Sequence, residues 1–452
     1  MLVPLLIAAT VLVISFAYSR LRYIRFRQYT DYPQLPNTLV FGHLKVYGDF
    51  AKRNKPNAHA DPAIVAMNRA LGRPPLMLID MQPIGDPVVV ASKMFPTSAP
   101  KSSRSLERLL YLNGPTSIFS QHRFNPGFAP QYLVTFVPEI LDKGLIFLEH
   151  LDPLSKSGDT FSLMRLTTGL TFDIIGKVVM ETDLDAQHYD QDKRGELVDL
   201  FETLLDAYNG EGLSLLWWLT IGHDTTCILL SWAFYELSRT PHALRAIRAE
   251  LDDLLGTDAS PAAVRARLLA PLDAVQQTPY VSAVIKETLR LHPPGGTARA
   301  IPPGSGFTVR MPSGEQQCLD GLLVYNCQSL IHTDPKAFGD TAEHFVPERW
   351  LANDDATAAA IPAGAWRPFE RGPRNCIGQE LANIEARVII ALTVRRYDFI
   401  KVGLGEVALD ESGRPSLDHS KGQYGMSEEL YTTRQVTSKP VDGMMMKVKL
   451  TE

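Results

Sequence analysis

The stretch RPFERGPRNCIGQELA, from Arg367 to Ala382, decides how the rest of this chain can be interpreted. It sets a single cysteine, Cys376, between Gly372 and Gly378, and an apolar helical pattern begins directly afterwards. Glycine permits tight turns and close backbone approaches. A thiol at the start of a helix is stabilised as a thiolate by the helix dipole and by free backbone N–H groups. The stretch therefore predicts a sulfur presented by a constrained loop.

A lone cysteine of this kind can be a buried packing residue, a nucleophile or a metal ligand. A nucleophile needs a general base, which any of the 11 histidines could supply. A zinc site needs three further ligands, and none of the other cysteines has zinc-ligand spacing: Cys227, Cys318 and Cys327. A haem iron needs one protein ligand on its proximal side, and thiolate is one of the options. The residues alone leave these roles open.

Composition narrows the class of protein. The chain has 452 residues, of which 45% are hydrophobic and 21% charged, which fits one large domain or two medium ones. A net charge of −5 with mostly scattered basic residues gives no reason to expect nucleic acid as a partner. Four cysteines are too few for a disulfide framework, so a reducing compartment is expected.

The N-terminus carries the pattern of a membrane anchor. Residues 1–19 contain no charge, and as a helix they would span ~28 Å, about one hydrocarbon core. Four arginines follow, which favours a cytosolic position for everything after them: Arg20, Arg22, Arg25 and Arg27. A cleaved signal peptide is the alternative, but its positive charge would precede the apolar run. We predict an anchor with its basic flank over residues 1–27, and one domain over residues 28–452.

Beyond residue 133 helical patterns dominate. They cover 134–151, 163–180, 195–208 and 213–238, and another long helix is expected after Cys376. The segment TPYVSAVIKETLRLHPP predicts a helix capped by Thr278, with Pro279 in its first turn. Strand-like pieces lie around residues 83–87 and in the segments GFTVRM and GLLVYNC. The sequence predicts a mainly α fold with a small β part.

Two further patterns carry chemistry. The apolar helix over 213–238 is interrupted by GHDTT at 222–226, whose glycine, aspartate and threonines are poor mid-helix residues. An acid beside a hydroxyl could relay protons into a dry pocket, or the polar stripe could simply face solvent or a neighbouring helix. Glu287 and Arg290 lie on the same helix face. They could form an exposed ion pair or a buried one. A buried pair needs further partners, and Arg349 is a candidate partner.

These motifs together resemble those of the cytochrome P450 family. The loop from Phe369 to Gly378 resembles its haem-binding loop, and Glu287 with Arg290 resembles its E-x-x-R motif. FVPERW is similar to the segment that completes the family's Glu-Arg-Arg cluster, and GHDTT is similar to its oxygen-activation groove. The motifs occur in the family's order and the resemblance covers most of residues 28–452. Within the family, these segments most resemble those of fungal microsomal members, including enzymes of polyketide and mycotoxin pathways.

The resemblance implies a role for each matching residue. Cys376 would be the axial thiolate ligand of haem b, and Asp224 and Thr225 would deliver protons during oxygen activation. The other haem contacts would be Phe369, Gly372, Arg374, Gly378 and Arg299. The structural cluster on the proximal side would be Glu287, Arg290 and Arg349.

The resemblance also implies the reaction and its setting. The protein would be a monooxygenase that inserts one atom of O2 into a small apolar organic substrate, in fungal secondary metabolism. Electrons would come from NADPH through cytochrome P450 reductase. The chain would be a single-pass protein of the endoplasmic reticulum membrane, with its catalytic domain in the cytosol.

The chain departs from the family pattern on the distal side. It has no tryptophan before Trp217, so the family's Trp-x-x-x-Arg motif is absent and Arg123 is only a weak substitute. Only three helical patterns separate the Arg123 region from the central helix, and Ile221 stands where the family prefers a small residue. Some helices before the central one are therefore expected to be missing. The alternative functions are a degenerate haem-binding paralogue without a complete substrate pocket and, more distantly, a cysteine-nucleophile hydrolase.

Overall fold

The computed structural model of the chain describes residues 2–92, 127–188, 216–271, 274–351, 361–362, 364–372, 375–433 and 437–451. The chain divides into two units. The strand unit combines Met1–Ser103 with Gly296–Asp334, and the helical unit combines Arg104–Gly295 with Pro335–Glu452. The prediction of a mainly α fold with a small β part is confirmed.

The elements are numbered here in chain order. The helices are α1 Leu2–Phe26, α2 Leu44–Ala51, α3 Asp61–Ala70, α4 Pro130–Leu133, α5 Val137–Ser157, α6 Leu163–Met180, α7 Leu216–Arg239, α8 Pro241–Leu255, α9 Pro261–Leu268, α10 Pro279–Leu291, α11 Gln328–Ile331, α12 Pro335–Phe338 and α13 Gln379–Thr393. The strands are β1 Leu76–Ile79, β2 Val88–Ala91, β3 Phe161–Ser162, β4 Thr297–Ala300, β5 Thr308–Arg310, β6 Gln316–Cys318, β7 Leu323–Asn326, β8 Tyr397–Lys401, β9 Leu417–Asp418, β10 Gln423–Tyr424 and β11 Met445–Leu450.

The strand unit is built on a four-stranded sheet in the order β1-β2-β7-β4. Strands β2 and β7 are parallel, with Val88 opposite Leu323, and the other two pairs are antiparallel. The two strands predicted around residues 83–87 are β1 and β2. Their side chains are almost all buried because they are apolar on both faces, as expected for strands covered on both sides.

Helix α1 belongs to the strand unit and is long and apolar enough to cross a membrane. None of its apolar window is buried against the protein. A helix that crosses a membrane has this exposure, because lipid surrounds its apolar side chains. The predicted boundary between residues 27 and 28 stays a prediction.

The core of the helical unit forms where α7 packs against α6, α10 and α13. From residue 223 to 237 nearly every side chain of α7 is buried, because the helix is mostly apolar and its buried polar residues Ser231 and Glu236 have hydrogen-bond partners. Helix α5 packs on α13, and the sheet β3-β11-β8 closes one side of the same core. Helix α7 therefore lies between the elements that carry the predicted site residues.

The predicted helices agree with the structure to different degrees. The predicted 163–180 matches α6, whereas α5 continues through Pro153 to Ser157 and ends at Gly158 with φ 70°. The predicted 195–208 and the expected shortage of helices before α7 lie outside the described residues.

The predicted cap of α10 is wrong in its chemistry. Thr278 occupies the N-cap position, but its hydroxyl donates to the Val275 carbonyl and makes no cap hydrogen bond. The Glu250 carboxylate of α8 accepts instead from the backbone N–H groups of Tyr280 and Val281. A carboxylate from another helix therefore satisfies the first turn, and a local sequence pattern cannot reveal it.

Candidate functional site

The loop around Cys376 is a short turn directly before α13. Gly372 has φ 82°, a conformation that favours glycine, and its carbonyl accepts from the Asn375 N–H at 3.0 Å. The Cys376 N–H donates to the Phe369 carbonyl at 2.8 Å, and Gly378 is the N-cap of α13. The residue is exposed, so the turn presents its thiol rather than burying it in the core. A Cβ at Gly378 would lie 3.9 Å from the sulfur, in ordinary contact.

Aromatic and ionic contacts fasten this loop to the helical unit. Phe369 packs against the core, with its ring 6.2 Å from the Trp366 ring in an edge-to-face arrangement. The Trp366 indole N–H donates to the Lys286 carbonyl of α10 at 2.9 Å. Arg367 and Glu370 form a buried ion pair inside the loop. Arg374, predicted to contact the cofactor, lies outside the described residues.

Glu287, Arg290 and Arg349 form one buried cluster. The Arg290 guanidinium donates two hydrogen bonds to the Glu287 carboxylate, at 2.8 and 2.9 Å, and both side chains are fully buried. Arg349 Nε donates to Glu287 Oε1 at 3.0 Å, and the Trp350 indole N–H donates to Oε2 at 2.9 Å. Because the carboxylate receives all these donors, the burial of its charge is compensated. The cluster holds the segment after α12 against α10.

The polar stretch of α7 divides its side chains among different neighbours. The His223 ring packs on Phe172 of α6, and the Thr171 hydroxyl donates to the His223 carbonyl at 3.0 Å. Asp224 is buried, and its Oδ2 accepts from the Thr437 hydroxyl at 2.5 Å. Its Oδ1 is 2.6 Å from Lys439 Nζ. A stripe facing a neighbouring helix therefore describes His223, whereas Asp224 faces an ionic partner.

Thr437 and Lys439 are site residues that the sequence analysis missed. Thr437 lies 213 residues from Asp224 along the chain, and no motif surrounds it. Lys439 keeps 27% of its side-chain surface exposed while the Asp224 side chain is 4% exposed. The pair therefore connects a buried carboxylate to solvent through one ammonium group. Thr225, beside Asp224, is partly exposed on α7.

Glu385 on α13 is a second missed residue. It is buried and hydrogen-bonds with Thr226, the last residue of the GHDTT stretch. Burial raises the pKa of its carboxyl to about 8, and the bond to the Thr226 hydroxyl opposes this rise. The available signal was a glutamate next to the apolar face of α13 that contains Leu381 and Ile384. The helix after the Cys376 loop is thus joined to α7 by a carboxyl that is mostly neutral at pH 7.

Replacing Glu385 by glutamine should stabilise the protein, and the gain should grow with pH. Below about pH 4.5 both folded and unfolded chains carry the proton, so the substitution changes little. Between pH 4.5 and 8 the unfolded chain releases it while the folded one keeps it, so wild-type stability falls as pH rises. The difference from 4.5 to 8 corresponds to at most roughly 5 kcal/mol, at ~1.36 kcal/mol per pKa unit.

Urea unfolding at pH 4.5, 6 and 8 would measure this gain. Glu380→Gln, on the same helix and only partly buried, is the matched control and should show no pH-dependent gain. A constant difference between Glu385→Gln and wild type across the three pH values would contradict the raised pKa.

The remaining predicted residues are less informative. Arg299 lies on β4, buried, in the strand unit, whereas Cys376 lies in the helical unit. Ile221 is on α7, but its side chain is outside the described residues, as is Arg123. Within the described ranges no group of three or more His, Cys, Asp or Glu side chains could hold a metal ion.

Comparison with known proteins also indicates the cytochrome P450 family. The family model for Cytochrome P450 matches residues 214–414, which include Asp224, Glu287 and Cys376. The chain is 29% identical to Cytochrome P450 monooxygenase acrF of Aspergillus aculeatus, over 72% of this chain and 80% of that protein. It is 26% identical to Cytochrome P450 monooxygenase polC of Polytolypa hystricis, over 84% of each chain.

A third relative is a fusion protein. Over 46% of this chain there is 32% identity to a Bifunctional cytochrome P450/NADPH--P450 reductase of Gibberella moniliformis, of which the match covers 18%. The exposed cysteine on its glycine-bearing turn, the buried Glu-Arg-Arg cluster and these matches agree. The chain therefore belongs to the cytochrome P450 family, whose members carry haem with an iron held by a cysteine thiolate.

Proposed function

We propose that this protein is a haem-thiolate monooxygenase that inserts one oxygen atom of O2 into a small apolar organic substrate. The observation that carries the proposal is the exposed Cys376 thiol on a fixed turn at the start of α13. The two relatives that match most of this chain come from fungi, which supports a role in fungal secondary metabolism.

The donor set at the loop fits a haem iron. One exposed thiol precedes a helix N-terminus, where a thiolate is stabilised, and a haem iron needs only one such ligand on its proximal side. Cys376 would bind the iron, Phe369 would pack beside the sulfur, and Gly372 and Gly378 would permit a close approach. The propionates would be bound by Arg374 and Arg299. When bound, haem supplies the oxygen chemistry that no side chain can supply.

The residues of α7 would handle protons. The Lys439 ammonium pairs with the Asp224 carboxylate, and the Thr437 hydroxyl donates to the same carboxylate and orients it. Asp224 would take up a proton at Oδ2 or Oδ1 when either partner moves, and Thr225 would present its hydroxyl beside it. The exposed part of Lys439 would let solvent return a proton to the pair.

Electrons would come from NADPH through a separate cytochrome P450 reductase. The bifunctional relative supports this source, because it combines a cytochrome P450 and an NADPH–P450 reductase in one protein, of which the match covers 18%. Residues 1–27 would anchor the domain of residues 28–452 in the endoplasmic reticulum membrane as a single-pass protein, with the domain in the cytosol. Helix α1 supports the anchor by its length and its exposed apolar side chains.

The test of the proposal is the spectrum of the reduced, CO-bound full chain, followed by turnover with reductase and NADPH. A thiolate-type Soret band and an oxygenated product from a panel of apolar compounds are expected. Absence of that band in folded protein would overturn the haem-thiolate assignment. A normal band without product or NADPH consumption would favour the alternative, a degenerate haem-binding paralogue, which the residue Ile221 and the few predicted helices before α7 motivate.

Replacing Asp224 by asparagine is expected to lower product formation by about 100-fold, since general acid–base groups contribute about 10²–10⁴-fold. Lys439→Met should lower it less, because Asp224 keeps its hydrogen bond from the Thr437 hydroxyl. Product per NADPH consumed would check both. Lys447→Met, on an exposed position of β11, is the matched control. An unchanged product yield in Asp224→Asn would remove Asp224 from the reaction.

A further inference from the structure

Two side chains donate hydrogen bonds to the backbone of α7 on either side of Asp224. The Thr171 hydroxyl of α6 donates at 3.0 Å to the His223 carbonyl, which belongs to the peptide group before Asp224. The Cys227 thiol of α7 donates at 3.0 Å to the Asp224 carbonyl, which belongs to the peptide group after it. Both peptide groups that flank the Asp224 Cα therefore receive a side-chain donor.

Both donors are fully buried, so water does not compete for these bonds. Burial raises the pKa of the Cys227 thiol, so the sulfur keeps its proton and can donate a hydrogen bond. The Thr171 oxygen also lies 2.9 Å from the Thr167 carbonyl of its own helix. A hydroxyl has one proton, so this one is shared between α6 and α7.

Helix α6 contacts the second donor as well. The Thr168 hydroxyl oxygen lies 3.4 Å from Cys227 Sγ, next to the bond that this thiol makes to the Asp224 carbonyl. One turn further along α6, the Phe172 ring packs edge-on against the His223 ring at 4.9 Å. Helix α6 therefore supports the backbone of α7 both before and after Asp224.

The position of these bonds distinguishes them from ordinary packing between helices. A carbonyl inside a helix already accepts from the N–H group four residues later and needs no second donor. An additional side-chain donor competes with that bond and adjusts the backbone locally. Here such donors occur at the two peptide groups of the residue whose carboxylate contacts Thr437 and Lys439.

We propose that Thr171 and Cys227 are positioning residues that keep the Asp224 carboxylate at hydrogen-bond distance from Thr437 and Lys439. The inference rests on the proposed function, in which Asp224 handles protons. The two side chains act through the backbone, because a fixed peptide group on each side of Asp224 limits the directions in which its Cα–Cβ bond can point. A displaced carboxylate would supply protons more slowly, since proton transfer requires a group within hydrogen-bond reach.

The first test compares threonine variants of the full haem-loaded chain. Reductase and NADPH are supplied, with the compound of the apolar panel that the wild type converts best. Thr171→Val removes the donor and nearly keeps the shape. It should lower product per NADPH consumed about two- to tenfold, the equivalent of one ordinary hydrogen bond. Thr171→Ser keeps the hydroxyl and should restore most of the yield.

Thr167→Val is the matched control. Thr167 is equally buried on α6, and its hydroxyl lies 3.4 Å from the Cys227 carbonyl and 3.2 Å from the Ser231 hydroxyl. Neither of these groups adjoins Asp224, so the product yield should stay at the wild-type level, although both valine variants should melt at similarly lowered temperatures. An unchanged yield in Thr171→Val, or equal losses in the two valine variants, would overturn the proposal.

Crystal structures of the two valine variants give a measurement that does not depend on turnover. In Thr171→Val the Asp224 carboxylate should move away from Lys439 Nζ or occupy two conformers. In Thr167→Val it should keep the 2.6 Å separation. An undisturbed carboxylate in Thr171→Val would contradict the positioning role.

The second donor is tested in the same turnover assay. Cys227→Ala removes the thiol and should lower the product yield. Cys227→Ser keeps a donor at the same position and should lower the yield less. Equal yields from these two variants would show that the donor at Cys227 does not position Asp224.

A double variant separates this inference from the proposed function. Adding Thr171→Val to Asp224→Asn should cause no further loss of product, because Thr171 acts only through Asp224. Losses that multiply would show that Thr171 acts elsewhere and would overturn the inference. An unchanged yield in Asp224→Asn alone would instead overturn the proton role of Asp224, and this inference with it.

Discussion

Replacing Cys376 by serine is expected to abolish the thiolate-type Soret band of the reduced, CO-bound protein and all product formation. The loop presents its cysteine as an exposed residue ahead of α13, and no metal-ligand cluster lies within the described part of the chain. Haem would then lose its only strong protein ligand, and an alkoxide is not available from serine at neutral pH. Pyridine haemochrome content and the CO spectrum would measure this loss.

Cys318→Ser provides the matched control. Cys318 is exposed as well, but it lies on β6 of the strand unit and belongs to no motif. Its replacement should leave haem content, spectrum and turnover unchanged. A Cys376→Ser protein that retained haem and activity would contradict the assignment of the ligand. The alternative hypothesis of a cysteine-nucleophile hydrolase would then have to be considered again.

Replacing Glu287 by glutamine is expected to destabilise the helical unit by about 3–5 kcal/mol, the usual cost of breaking a buried ion pair. The substitution keeps the shape but leaves the Arg290 and Arg349 guanidinium groups without a counter-charge. The loss would be a large fraction of an ordinary unfolding free energy of ~5–15 kcal/mol. It should lower the melting temperature by roughly 6–20 °C, at ~2–4 °C per kcal/mol.

Thermal melting of the haem-loaded protein, with Asp340→Asn as the control, would check this expectation. Asp340 is an exposed carboxylate beside the segment that Arg349 holds, so its loss should change the melting temperature by no more than about 1–2 °C. Arg290→Lys should be nearly as harmful as Glu287→Gln, since a lysine cannot replace the two parallel hydrogen bonds. Unaltered melting of Glu287→Gln would show that the cluster contributes nothing to stability.

Features set by neighbouring residues were accessible from the sequence. The predicted 163–180 coincides with α6 because its start has a local signal, the Ser162 side chain accepting from the Arg165 N–H. The strands around residues 83–87 were equally clear, since two short apolar runs flank a proline-bounded turn. Periodicity and capping act over a few residues, and a sequence displays them directly.

Contacts between distant segments were not accessible in the same way. Nothing near Lys439 indicates that it pairs with Asp224, and nothing near Glu250 indicates that it caps α10. Arg349 was a candidate partner of the Glu287–Arg290 pair, but nothing in the spacing placed it beside Glu287. Long-range polar pairs depend on the packing of whole elements, so a local pattern constrains them weakly.

Arg25, near the end of α1, is buried and pairs with the buried Asp80 carboxylate, and this ion pair changes where the protein can be shortened for work in solution. Removal of the anchor together with its basic flank, residues 1–27, would delete Arg25 and leave the Asp80 carboxylate buried without a cation. A shortened form that starts at Arg20 would discard the uncharged run yet keep the final turns of α1 and the ion pair. The first form should express poorly or aggregate, and the second should remain folded. The useful boundary for protein production thus lies inside the helix, several residues before the end of the anchor segment.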